Sequence, residues 1–212
     1  MKIKVCGLKY AENIEAVIAL QPDYVGFVCY APSPRYSRAL DTETVELIPA
    51  SISKTAVFVN EDQETITALI DKYGFDAIQL HGNEDAEFCS YFKGKVQVIK
   101  AFGLHEGFDF SILDDYVGKV DLFLFDTKTA IHGGSGNTFD WSLLNSYQLD
   151  VPFFLSGGLS LENLEEITKI DHPQLYGVDL NSKFETAPGR KDIGKLEKAF
   201  DIIKHTTNEI RG

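Results

Sequence analysis

Short runs dense in Val, Ile and Phe alternate along this chain with stretches whose apolar residues recur at i, i+3 and i+4. The first pattern predicts strands and the second amphipathic helices. Eight strands are predicted, over Ile3–Gly7, Tyr24–Tyr30, Lys54–Asn60, Ala77–Gly82, Gln97–Gly103, Asp121–Thr127, Val151–Gly157 and Leu175–Asn181. Most are apolar throughout, as in Leu122-Phe123-Leu124-Phe125, rather than alternating. A strand needs that composition when helices cover one of its faces and a packed interior fills the other.

Between the strands, Ile66, Leu69, Ile70 and Tyr73 form one apolar stripe, closed by Gly74 in a C-terminal capping position. Leu196, Ala199, Phe200 and Ile203 form another. Asn83, Asp140, Ser160 and Asp192 stand where N-caps are expected. Eight β-then-α units predict an α/β protein, a (β/α)8 TIM barrel occupying residues 1–212 as a single domain. An open doubly wound sheet is the competing architecture, one miscounted strand away. No linker, low-complexity stretch or longer repeat marks a second domain.

Composition narrows the partners. Hydrophobic residues make up 44% of the chain and charged ones 25%, too apolar for a disordered protein. Lys and Arg number 20 against 32 Asp and Glu, a net charge of -12 that would repel a nucleic acid backbone, and no basic cluster offsets it. A small anion held by a few local cations remains compatible with that charge. Cys6, Cys29 and Cys89 are widely spaced and form no CxxC pair, which argues against a disulfide scaffold or a cysteine-rich zinc site. Lys2, Lys4 and Lys9 interrupt the first residues, and no apolar stretch reaches membrane-spanning length. A cytoplasmic, reduced protein without membrane or nucleic acid partners is expected.

In a barrel of this kind the chemistry belongs at the carboxyl ends of the strands. Polar or reactive residues stand there: Cys6, Arg35 in the second loop, Asn60, His81, Asp126 and Asp179. Each has a plain alternative, Cys6 as a small core hydrophobe and Arg35 as a solvated surface cation. Their coincidence on one face favours chemistry. After the seventh strand comes Ser156-Gly157-Gly158, and after the eighth Asn181-Ser182-Lys183. Glycine allows close backbone approach, and barrels commonly hold phosphate at these two loops. After the sixth, Asp126-Thr127-Lys128 leads into the Gly-rich segment 132–141, which reads either as a flap over bound substrate or as a plain surface loop.

Across its length the chain resembles the phosphoribosylanthranilate isomerase family of tryptophan biosynthesis. The motifs that carry the resemblance are KVCGL at Lys4–Leu8, GFV with SPRY over Gly26–Tyr36, VFVN at Val57–Asn60 and QLHG at Gln79–Gly82. They continue with FDT at Phe125–Thr127, GGSGNTFDW at 133–141, LSGGL at Leu155–Leu159, GVD at Gly177–Asp179, and PG with KD over Pro188–Asp192. The resemblance implies an isomerase that performs an Amadori rearrangement of N-(5-phosphoribosyl)anthranilate to 1-(2-carboxyphenylamino)-1-deoxyribulose 5-phosphate. It implies Asp126 as general acid and Cys6 as general base. It implies Arg35, His81 and Asp179 as substrate-binding residues, and the backbone at Gly157, Gly158, Asn181 and Ser182 as the phosphate site. It implies no metal or organic cofactor, a small phosphorylated substrate, and a monomer or homodimer. The acid must enter protonated and the base ionised, so their surroundings have to push the two in opposite directions. Lys9 and Arg35 are the cations expected near Cys6.

The chain departs from the family pattern where Asn181-Ser182-Lys183-Phe184 replaces serines followed by glycine, where Cys29 replaces an aromatic, and at Lys9. Two rival functions stay open. One is a metal-dependent sugar-phosphate epimerase using His81, Asp126 and Asp179, and the other is a catalytically silent phosphate-binding subunit.

Overall fold

A computed structural model describes residues 1–37, 40–127 and 139–209, with side chains as far as Lys204. Eight strands close into a parallel barrel in chain order: β1 (Lys2–Cys6), β2 (Tyr24–Val28), β3 (Ser53–Phe58), β4 (Ala77–Leu80), β5 (Gln97–Leu104), β6 (Leu122–Thr127), β7 (Phe153–Leu155) and β8 (Leu175–Leu180). β8 pairs with β1, so no strand edge is left open and the doubly wound alternative falls. The helices are α1 (Ala11–Ile18), α2 (Thr42–Glu46), α3 (Gln63–Tyr73), α4 (Ala86–Phe92), α5 (Leu164–Ile167) and α6 (Ile193–Glu209). A short antiparallel pair, β9 (Glu185–Ala187) and β10 (Arg190–Lys191), was not foreseen.

Two of the expected helices are 3-10 segments, Phe110–Tyr116 after β5 and Trp141–Ser146 after β6. Each is too short to gain much from α-helical propagation, and i→i+3 bonds close such runs. Two predicted caps also differ. Asp85, rather than Asn83, caps α4 by accepting from Phe88 N, and Asn163, rather than Ser160, precedes α5. Asp140 and Asp192 cap as expected, accepting from Ser142 N and Lys195 N. Gly74 ends α3 in the left-handed conformation.

The apolar runs divide into two layers. Tyr24, Ala77, Ile99, Ala101, Leu122, Leu124 and Phe154 fill the barrel, while the larger cluster, including Phe27, Phe58, Phe123, Phe125 and Phe153, packs between barrel and helices. Each fully buried aliphatic or aromatic side chain contributes roughly 1.5 to 3 kcal/mol. This filled lower barrel leaves the strands' carboxyl ends as the open side.

Candidate active site

One pocket opens at those carboxyl ends. Cys6, Arg35, His81, Asp126, Gly157, Gly158, Asp179, Asn181 and Ser182 all line it. It encloses about 750 Å³ including its open mouth. All nine predicted site residues thus meet in one cleft. Asn60 does not line it: its amide N donates to Glu84 and its side chain accepts from Asn83 N, so it braces the β4 loop instead. Of the segment 132–141, read as a flap, residues 132–138 lie outside the described residues.

Strand register sets the wall beside Cys6. On β1, Lys4 and Cys6 are two residues apart and so share the inward face. Lys4 is in register with Asp179 of β8, and their side chains pair at 3.1 Å with neither exposed by more than 4%. Cys6 is in register with Gly26 of β2. A Cβ there would stand 2.6 Å from the sulfur, so glycine at that position makes room for the thiol.

The cations around the thiol differ from those expected. Lys4, the neighbour of Cys6 on the inward face of β1, and Lys191 both act electrostatically on the thiol. Arg35 is turned to Glu185, and Lys9 lies beside the Tyr10 ring. Burial pushes the Cys6 thiol above its ordinary value, with Lys4 and Lys191 opposing the rise. Burial also raises the Asp179 carboxyl, against Lys4. Burial works against the Lys4 ammonium as well, but Asp179 and Cys6 together hold it above the usual lysine value.

At the mouth, Arg35 donates through Nε and Nη2 to the Glu185 carboxylate, at 2.7 to 3.1 Å. Lys191 Nζ donates to the same carboxylate and to Asn181 Oδ1, both at 2.8 Å. Burial tends to raise the Glu185 carboxyl, yet Arg35 and Lys191 hold it below the ordinary range. Glu185, Lys191 and Lys4 escaped the reading of the sequence. Lys4 carried a signal, since it stands at the period-two position inside KVC. Glu185 carried none.

Asp126, on β6, faces His81 of the β4 loop, with Oδ2 and Nε2 3.5 Å apart. Gln79 Nε2 stands 2.8 Å from the other ring nitrogen. The loop after β7 closes on the acid as well. Gly157, at φ 83°, places its Cα so near that a Cβ would lie 2.5 Å from Thr127 N and 2.6 Å from Asp126 Oδ1. The glycines at this loop therefore present backbone to the pocket without displacing the carboxyl. None of Asn181, Ser182, Lys183 and Phe184 has a positive φ, so this loop takes its shape without the glycine of the family pattern. Lys183 is exposed. Cys29 is half-buried against the core, and burial pushes its thiol up to about 12.

Among the described residues, no group of three His, Cys, Asp or Glu side chains is arranged to hold a metal ion. His81, Asp126 and Asp179 do not supply the set that the epimerase reading requires. Among the described residues, no helix is long and apolar enough to cross a membrane.

The model of the family described as N-(5'phosphoribosyl)anthranilate (PRA) isomerase matches residues 3–202. The N-(5'-phosphoribosyl)anthranilate isomerase of Parabacteroides distasonis is 42% identical over 212 residues, covering 99% of this chain and 96% of the relative. The crystal structure of phosphoribosyl anthranilate isomerase from Thermus thermophilus superposes with a TM-score of 0.82 at 28% identity, covering 97% of this chain and 99% of that one. A second such isomerase, solved in complex with reduced 1-(o-carboxyphenylamino)-1-deoxyribulose 5-phosphate, covers the same shares at a TM-score of 0.77 and 28% identity.

Proposed function

We propose a mechanism from one premise: the chain belongs to the N-(5'-phosphoribosyl)anthranilate isomerase family and catalyses that isomerisation in tryptophan biosynthesis. Asp126 is the general acid. It gives its proton to the furanose ring oxygen as the C1–O bond breaks, and the anthranilate nitrogen supplies the electron pair that forms the iminium. Cys6, as thiolate, then removes the proton on C2. The C2–H electrons form the C1–C2 double bond and the iminium electrons return to nitrogen. The resulting enol gains a proton at C1 and loses one from its hydroxyl, which gives the aminoketose. Protons move within one substrate and no electrons leave it.

The other site residues place the substrate. Gly157, Gly158, Asn181 and Ser182 hold the phosphate through the backbone. Arg35 meets the anthranilate carboxylate with the N–H groups that Glu185 leaves over. His81 steadies the Asp126 carboxyl, and Asp179 stands beside the reacting sugar. The chain works in the cytoplasm as a monomer or a homodimer.

The observation that carries this reading is the position of Cys6 and Asp126, on β1 and β6, lining one pocket together with the Gly157-Gly158 loop. The test follows the fluorescence of the ribosyl anthranilate substrate during turnover, with and without chelator, in wild type, Cys6→Ser and Asp126→Asn. Turnover that survives chelation and drops at least about a hundredfold in both variants is expected. Activity lost on chelation and restored by Zn²⁺ or Mn²⁺ would move the assignment to the metal-dependent epimerase.

A further inference from the structure

Lys4 is fully enclosed, yet its strand position, two residues before Cys6, aims it into the barrel beneath the reacting groups. An ammonium has no acceptor capacity and three N–H donors, and burying one is costly unless it is paired. Here it pairs with the Asp179 carboxylate at 3.1 Å, and the buried Cys6 side chain is its neighbour on the same inward face of β1. The Asp179 carboxylate balances the ammonium's charge and leaves N–H donors over. That neighbour on β1 is the group to which the reaction assigns a negative charge, and the two stand together inside the barrel, where the dielectric is low and charge interaction strong.

We propose that Lys4 is a positioning residue of this reaction: its buried ammonium, anchored by Asp179, is the cation against which the Cys6 sulfur becomes an anion. The proposal deepens the base assignment and rests on it. Thiol ionisation in this cluster moves one proton out of a site that otherwise holds Lys4 as a cation and Asp179 as an anion, leaving one cation between two anions. Lys191, from β10 and bonded to Glu185 and Asn181, is a further cation that acts on the sulfur. Beyond these, Asp126 bears on Asp179, and Arg35 and Glu185 bear on Lys191. Burial pushes the Cys29 and Cys89 thiols up to about 12, with Lys100 opposing the rise at Cys89.

The test reads Cys6 ionisation without substrate, from thiolate ultraviolet absorbance against pH, taking each variant minus the same variant carrying Cys6→Ser. Lys4→Met should move the Cys6 midpoint up by at least about one pH unit, a tenfold loss of thiolate at fixed pH. Lys4→Arg, which keeps the charge, should stay near wild type. Asp179→Asn, which removes the opposing anion, should move the midpoint down. The acid limb of kcat/KM should travel with the midpoint in each active variant, which a merely structural lysine would not cause. A folded Lys4→Met protein with an unmoved midpoint, or an upward move in Asp179→Asn, overturns the proposal. If Lys4→Met does not fold, the direction of the Asp179→Asn shift decides alone. Normal turnover by Cys6→Ser would instead defeat the base assignment, and with it the catalytic meaning of Lys4, while the absorbance shift would still report the Lys4 contact.

Discussion

His81 Nε2 lies 3.5 Å from Asp126 Oδ2, while Gln79 Nε2 holds the opposite ring nitrogen at 2.8 Å. With the amide N–H donating to Nδ1, the imidazole can present an Nε2–H to the carboxyl. β4 and its loop thereby orient the acid carried by β6, with β5 between them. The Gln79 Oε1 atom is buried with no protein partner, and the amide's donor end is the one engaged.

Removing that support should slow the chemical step more than it weakens binding. Gln79→Ala is expected to lower kcat about tenfold or more while KM stays within about twofold, because small misplacement of a catalytic group is costly. Steady-state kinetics on the purified variant checks this. An unchanged kcat would remove Gln79 and His81 from the acid's support.

Burial disfavours the Cys6 anion and pushes the thiol up from its ordinary 9.0, against Lys4 and Lys191. An acid with a raised value has its reactive base form at high pH. The acid limb of kcat/KM should therefore climb from neutral pH towards 9 and beyond, with a slope approaching one proton. A profile already flat at neutral pH would show that Lys4 and Lys191 outweigh the burial.

Arg35 is held in place by Glu185, so both should matter to binding. Arg35→Ala is expected to raise KM by tenfold or more, the scale of about 1.4 kcal/mol, with a smaller effect on kcat. Glu185→Gln, which loosens the guanidinium and Lys191 together, should raise KM in the same direction. Titration of each variant with substrate decides, and an unmoved KM in Arg35→Ala takes it out of the site.

Lys100 and Glu84 form a buried pair at 2.9 Å, and Glu84 also accepts from Asn60 N and Gly82 N. Glu84→Gln leaves the ammonium without its counter-charge and should cost about 3 kcal/mol. Burial tends to raise the Glu84 carboxyl, but Lys100 holds it below its ordinary 4.5, and Glu185 is likewise held down. A lowered carboxyl adds stability above its unfolded value, and that stability is lost as pH falls. Thermal melting of wild type should therefore weaken steeply below about pH 4.5, and Glu84→Gln should show a flatter acid slope. Parallel slopes would contradict it.

Gly157 separates backbone from the acid. Gly157→Ala must adopt a positive φ and meet Thr127 N, so it should lose about 2 kcal/mol of stability and displace Asp126, lowering kcat. Melting and kinetics on the same preparation check both halves. A variant as stable and active as wild type would show that the loop can yield.

Much of this protein is written along the chain. Apolar runs of strand length, separated by helical stripes, determine eight parallel units, since continuous apolarity serves only strands buried on both faces. Residues closing those runs then fall at one end of the barrel, which is why Cys6, His81, Asp126 and Asp179 could be read as neighbours though up to 173 positions apart. Local hydrogen bonding decided Asp140, Asp192 and Gly74 in the same way. Tertiary structure decided what depends on register and approach. Lys4 meets Asp179 because β8 returns to pair with β1, and Glu185 reaches Arg35 because an unforeseen hairpin folds over the mouth. No spacing in one dimension encodes which charges will share a desolvated pocket. That is why the cations beside the thiol proved to be Lys4 and Lys191 rather than Lys9 and Arg35.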